Sequence, residues 1–167
     1  YVYPTFAANT LDDEFLTVAL LGAISEVKGA TIMYELVEKI RAAKLPVRIK
    51  VIGITHLHNA YYQSEDGVLE ITGPYENREV SALLAKYRVA AVLIASVCPE
   101  TYSYTTSEAI ASGYPVIAFD LGAPAERIRR QDCGWVVEEI SSDALLTLLG
   151  KLAANRGLLK EKVKYQV

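Results

Sequence analysis

The chain has 167 residues, a hydrophobic fraction of 51% and a formal net charge of −3, which describes one globular domain long enough to bury a proper core. With no Lys/Arg run longer than two residues, that balance argues against a nucleic-acid surface. The longest apolar run, 89–95, is far short of the ~20 residues that cross a bilayer.

Residues 1–14 are irregular, with Pro4 and the Asp12-Asp13-Glu14 run, and read as a lead-in or interdomain linker. A continuous apolar run over 15–21, bounded by Gly22, predicts a buried strand. Over 30–43, Ile32, Met33, Leu36, Val37 and Ile40 have the spacing of an amphipathic helix, which Pro46 stops. A second strand is expected at 47–52, ending at Gly53. The polar and aromatic segment 55–67 has no period and reads as a loop. A short strand at 68–72 ends at Gly73-Pro74. Asn77 is then placed to cap a helix whose inner face is Val80, Leu83, Leu84 and Tyr87.

A strand at 90–95 leads into the stretch 98–113, which reads C-P-E-T-Y-S-Y-T-T-S-E-A-I-A-S-G. Its Pro-containing loop carries Glu100, and a helix beginning near Ser103 carries Glu108 and ends at Gly113. A strand at 116–120, a short helix at 124–130 and a strand at 134–137 follow. Ser141 caps a final helix with Leu145, Leu146, Leu148, Leu149 and Leu152, and 154–167 reads as a polar, uncommitted tail. The domain proper is therefore 15–153.

Wholly apolar strands alternating with helices predict an α/β domain: a doubly wound, Rossmann-like parallel sheet of about six strands. Ligands of such sheets bind beyond the carboxyl ends of the strands, where Gly22, Gly53, Gly73, Ser96 and Asp120 are expected. The stretch 98–113 supplies a carboxylate before a helix start, a second in its first turns and free backbone amides between them. A helix N-terminus attracts anions, so a phosphate fits those amides while the carboxylates accept from sugar hydroxyls. On spacing alone an exposed loop glutamate and a helix-surface glutamate are the simpler reading, but small neighbours of Glu108, among them Thr105, leave room for a ligand, and Pro99 fixes Glu100.

Lys28 stands where the first strand's exit loop meets its helix and can face the same phosphate, although a solvated lysine is an equal alternative. That exit, Gly22 to Gly29, is neither a G-x-G-x-x-G fingerprint nor a Walker A sequence. Tyr75 is placed to stack on a planar base, although aromatics in loops more often pack locally. Of the alternating Tyr102 and Tyr104, one is expected to pack inward and the other to face the cleft. His56 and His58 have no third ligand at a suitable spacing, so no zinc site is expected. Cys98 and Cys133 make no disulfide framework, which points to a reducing compartment. Without a signal peptide or an initiating Met, the chain is expected to be an excised piece of something larger.

These residues together resemble the C-terminal, donor-binding half of a GT-B fold, in the family 4-like (group 1) retaining glycosyltransferases. The resemblance rests on Gly22 with Lys28-Gly29, on Gly73, on Pro99-Glu100 through Glu108-Ala109 with Gly113-Tyr114-Pro115-Val116, and on Gly122 and Glu126. The E-x7-E spacing of Glu100 and Glu108 is its most specific part. It implies an NDP-sugar as substrate, no metal or other cofactor, and transfer with retention. Lys28 would hold the diphosphate, Glu100 the hydroxyls of the transferred sugar as the catalytic residue, and Glu108 the ribose. Amides around Ser103, Tyr104 and Thr105 would cradle the diphosphate, with Gly22, Gly73 and Tyr75 completing the donor site. Two positions depart from the family: Ala23 where Arg is common, and Ser103 where Gly is usual. A hexosyltransferase-like enzyme is implied, located in the cytoplasm or at the inner face of the membrane. Its acceptor would be a glycan, a lipid-linked saccharide or another cell-envelope molecule, as in polysaccharide biosynthesis. The acceptor-binding N-terminal domain is absent, so this piece is expected to be inactive alone, with any membrane association residing in the missing part. Two alternatives compete: a non-catalytic nucleotide-binding or interaction module of the same fold, favoured by Ala23, and, more weakly, a nucleotide-sugar epimerase.

Overall fold

A computed structural model describes residues 6 and 8–163. The apolar runs form one sheet of seven strands, ordered β3-β4-β2-β1-β5-β6-β7. The strands are β1 (Leu16–Ile24), β2 (Val47–Thr55), β3 (Tyr62–Gln63), β4 (Leu69–Ile71), β5 (Ala91–Ile94), β6 (Val116–Phe119) and β7 (Gly134–Val137). All neighbours pair in parallel except β3, which runs antiparallel to β4 at the edge. Helices α1 (Ala30–Ala43), α2 (Val80–Lys86), α3 (Tyr104–Ala111), α4 (Gly122–Gln131), α5 (Ser142–Ala154) and α6 (Gly157–Lys162) cover it.

Period 2 divides the strand side chains between two cores. Leu16, Val18 and Leu20 of β1 join Met33, Leu36 and Ile40 of α1 and Leu145, Leu149 and Leu152 of α5. Ala19 and Leu21 face the other way, with Val80 and Leu84 of α2, Ala109 of α3 and Ile128 of α4. Both faces are covered, which is why the strands are apolar throughout.

Several expectations from the sequence are corrected. The sheet has seven strands where about six were expected, because Tyr62–Gln63, read as loop, pairs with Ile71 and Glu70. Strands β1 and β2 run on past the glycines that were to end them: Gly22 and Gly53 lie opposite each other, and the ladder continues to Ile24 and Thr55. Asn77 is not the cap. It begins a short 3₁₀ turn, Asn77–Glu79, whose N-cap is Glu76, and the Glu76 N–H donates to the Glu79 carboxylate at 3.0 Å. Glu76 has a glutamate three residues on, as such reciprocal caps require, whereas Asn77 has Val80. The stretch read as an uncommitted tail carries α6, with Leu159 fully buried; 164–167 lie outside the described residues.

The lead-in is also tied down, although 1–5 and 7 lie outside the described residues. Phe6 packs edge-on to Tyr114, and Arg156 donates to the carbonyls of Leu11 (3.0 Å), Asp13 and Glu14 (3.0 Å). Charge-assisted bonds to such backbone carbonyls are worth about 1–3 kcal/mol together after solvation is counted. Arg156→Met should therefore lower the urea-unfolding free energy by about that amount with the far-UV spectrum unchanged. An unchanged midpoint would show that the lead-in is held by its apolar contacts alone.

Candidate functional site

Strand order reverses at β1, whose neighbours are β2 and β5, so the loops leaving β1 and β5 diverge to opposite faces of the sheet. A crevice opens between such loops. Here the two are drawn together. The Val97 N–H donates to the Val27 carbonyl at 3.0 Å, and a Cβ on Gly29 would stand 2.0 Å from the Ala95 carbonyl oxygen. Gly29 has φ +93° and is the N-cap of α1, so that position requires both glycine's missing side chain and its left-handed backbone. Inside the turn, the N–H groups of Lys28 and Gly29 donate to Ser25 and Glu26 at 3.1 and 3.0 Å.

This approach brings Lys28 and Glu100 into an ion pair. Glu100 has 12% of its side chain exposed against 49% for Lys28, so the carboxylate is the fixed partner. Its Oε1 also accepts from the Ser96 hydroxyl at 3.2 Å. Its backbone is gripped by the start of α4: the Ala123 N–H donates to the Glu100 carbonyl at 2.8 Å. A Cβ on Gly122, which has φ +57°, would come within 2.5 Å of that same oxygen.

Beyond Glu100, Ser103 caps α3 by accepting from the Thr106 N–H at 3.3 Å and from the Thr106 hydroxyl at 2.8 Å. Among the described residues, the amides of Tyr104 and Thr105 meet no protein acceptor, as expected of a first helical turn. The Thr105 methyl lies 3.8 Å from where a Gly22 Cβ would be, and the Tyr75 hydroxyl lies 4.0 Å from the same point. Gly22, Tyr75, Thr105 and Glu108 thus meet on one side of α3. Glu108 is partly buried, and its Oε2 is fully buried without a hydrogen-bond partner. Burial pushes its carboxyl above the ordinary value of 4.5. Burial likewise raises the Tyr75 phenol to about 12, with the Glu108 charge adding to the push. Tyr75 packs its ring against the second core, so it offers the cleft its hydroxyl end. Gly73 is buried and donates to the Gly53 carbonyl at 2.9 Å.

The structure corrects the expectation for the tyrosine pair. Neither packs inward: Tyr102 is 58% exposed and Tyr104 76%, and their rings meet edge to face at 4.9 Å. Sequence reasoning also missed Arg127 of α4. It donates to the Ser103 carbonyl at 3.3 Å and to the Ser107 hydroxyl at 2.8 Å, and lies 5.7 Å from the Tyr102 ring. No local pattern marks a helical Arg for that task; only the packing of α4 beside α3 does.

Two hollows lie elsewhere. A groove of about 550 Å³ runs beside α1, where Tyr34 bonds the Thr55 hydroxyl at 2.7 Å and His58 Nδ1 at 2.8 Å. His58 there stacks on Tyr62, and His56 faces Glu26. A basin of about 420 Å³ with Arg48, Lys50 and Arg88 opens at the amino ends of β1 and β2. Neither lies at the reversal of strand order, where a small hollow is lined by Ser96, Cys98 and Glu100 among others. No group of three or more His, Cys, Asp or Glu among the described residues is placed to hold a metal. No helix among them is long and apolar enough to cross a membrane.

A family model described as glycosyl transferases group 1 matches residues 15–155, most of the chain. By fold the chain is similar to the C-terminal domain of a glycosyl transferase group 1 family protein (LpcC) from Francisella tularensis, with TM-score 0.70 and 20% identity. That match covers 96% of this chain and 90% of the other. It is similar too to Anabaena HepE in complex with UDP and glucose, with TM-score 0.69 and 14% identity over 97% of this chain and 50% of that one. A third match is WaaG, a glycosyltransferase involved in lipopolysaccharide biosynthesis, with TM-score 0.69 and 17% identity over 97% and 47%. The chain therefore spans about half the length of HepE and WaaG. No curated protein sequence matches it. The chain belongs to the group 1 glycosyl transferases, and its fold is that of the C-terminal half of a GT-B enzyme.

Glu108 yields a prediction about stability. Its carboxyl is raised in the folded state, so the neutral form is favoured there. The resulting stability is fully present below the unfolded value and is lost as pH rises through the folded one. Glu108→Gln should accordingly unfold at a higher temperature than the parent at pH 8, with the difference vanishing near pH 3. A gap that persists at pH 3 would locate its cause elsewhere.

Proposed function

We propose that, as a group 1 glycosyl transferase, this chain forms the nucleotide-sugar-binding half of a retaining enzyme that passes a sugar from an NDP-sugar to an acceptor hydroxyl. The observation that carries this reading is the juxtaposition of Lys28 and Glu100 on one side of the α3 start with the unpartnered buried oxygen of Glu108 on the other. Between them lie the free amides of Tyr104 and Thr105. A diphosphate seated on those amides meets the positive end of the α3 dipole and the Lys28 ammonium. The buried Glu108 oxygen then accepts from the ribose hydroxyls, which supply the missing partner. Glu100 accepts from hydroxyls of the transferred sugar.

As the bond from the anomeric carbon to the diphosphate breaks and that to the acceptor oxygen forms, negative charge collects on the leaving diphosphate, whose departing oxygen takes up the proton that the acceptor hydroxyl gives up. Lys28 and the helix start stabilise that charge in place of a metal, a form of preorganised electrostatic catalysis. That HepE crystallised with UDP and glucose supports nucleotide-sugar binding by this fold. The partner domain that presents the acceptor lies outside this chain, so the chain alone binds donor weakly and transfers no sugar. A cytoplasmic location and a glycan or lipid-linked acceptor complete the proposal. The second reading, a non-catalytic module, rests on Ala23, which is exposed on β1 and supplies no cation.

Calorimetry with UDP, GDP, ADP and dTDP tests the donor site. One of the four should bind at up to millimolar concentration, and Lys28→Met should weaken it about tenfold, as loss of a charge-assisted contact does. Failure of all four would remove the reading. Glu108→Ala in the full-length enzyme separates the two roles. A transferase should lose about tenfold to a hundredfold in transfer rate, whereas a structural module should keep its biological activity.

A further inference from the structure

Resting on the donor-site reading above, we propose that Glu100 makes the cleft prefer an intact NDP-sugar over the bare nucleoside diphosphate, by competing with phosphate for Lys28. Lys28 is the sole cation on the two loops that form the crevice, 25–29 and 95–103, and position 23 adds none. Arg127 is occupied by the Ser103 carbonyl and the Ser107 hydroxyl. The one available cation is already held by a carboxylate.

Glu100 cannot leave as a whole. Ala123 holds its carbonyl at 2.8 Å, and the close pass of Gly122 leaves its backbone no room to shift toward α4. Only its side chain can yield, pivoting about the Ser96 hydroxyl that it shares at 3.2 Å. A phosphate arriving on Lys28 thus strips Glu100 of its counter-ion.

What happens next depends on the ligand. An NDP-sugar brings hydroxyl donors, which take over the carboxylate that Lys28 has released. A bare diphosphate brings none, so Glu100 stays uncompensated and reclaims the lysine. Once the sugar has been transferred, the same competition loosens the diphosphate product. Glu100 therefore acts twice, binding the sugar in the donor complex and helping to expel the nucleotide afterwards.

The test is calorimetry on the full-length protein with whichever of UDP, GDP, ADP or dTDP it binds, comparing the parent, Glu100→Gln, Lys28→Met and the double variant. Removing the carboxylate's charge should tighten the bare diphosphate about threefold, the scale of a partly exposed ion pair. The gain should vanish in the Lys28→Met background. Glu100→Asp, which keeps the charge but withdraws it from Lys28, provides the same test should the Gln variant fail to melt cooperatively. Equal or weaker binding by Glu100→Gln overturns this inference and leaves the donor site standing. A gain that survives loss of Lys28 also overturns it, since Glu100 would then repel phosphate directly. If the parent binds none of the four, the donor site falls and this inference with it.

Discussion

Everything distinctive about the crevice depends on how closely the loops after β1 and β5 approach. Backbone touches backbone there: Val97 donates to Val27, and Gly29 passes the Ala95 carbonyl with no space for a side chain. Parallel strands separate their exit loops wherever strand order reverses, and this contact limits the gap. Had Gly29 been any other residue, the loop would have to move outward and carry Lys28 from Glu100. The sheet, with its two apolar cores, is the rigid support that makes such a contact reproducible.

The crevice is electrostatically divided. On the side of Lys28 and Glu100, a partly exposed pair cancels its own charge. On the side of Tyr75 and Glu108, burial disfavours ionisation of both groups, and one carboxylate oxygen lacks a donor. An unpaired buried acceptor is costly in a resting protein and is usually answered by a ligand or water. Two halves with such different demands suit a ligand with a charged centre and hydroxyl-bearing ends.

The architecture was largely legible because it depends on local patterns: apolar strands alternating with amphipathic helices, and serines ahead of α3 and α5. Lys28, Glu100 and Glu108 could be singled out because loop and helix starts place them at the carboxyl ends of strands. What escaped depends on partners distant in sequence. β3 is two residues long and exists only because β4 offers it an edge, and α6 owes its place to the burial of Leu159. Arg127 reaches Ser103 and Ser107 from a separate helix, and Tyr102 and Tyr104 both face outward, neither of which any spacing within the segment encodes. The Lys28–Glu100 contact, between residues separated by 72 positions, was likewise beyond any local signal.

The proposed site receives an anion and its hydroxyl-bearing neighbour at the start of α3. Amide chemical-shift mapping by NMR, with the chain titrated by its nucleoside diphosphate, tests it most directly. The largest shifts should fall on Tyr104 and Thr105, with Lys28 and Gly29 next. Shifts centred instead on Tyr34, His58 and Tyr62, or on Arg48 and Lys50, would contradict it and move the site to one of the other two hollows.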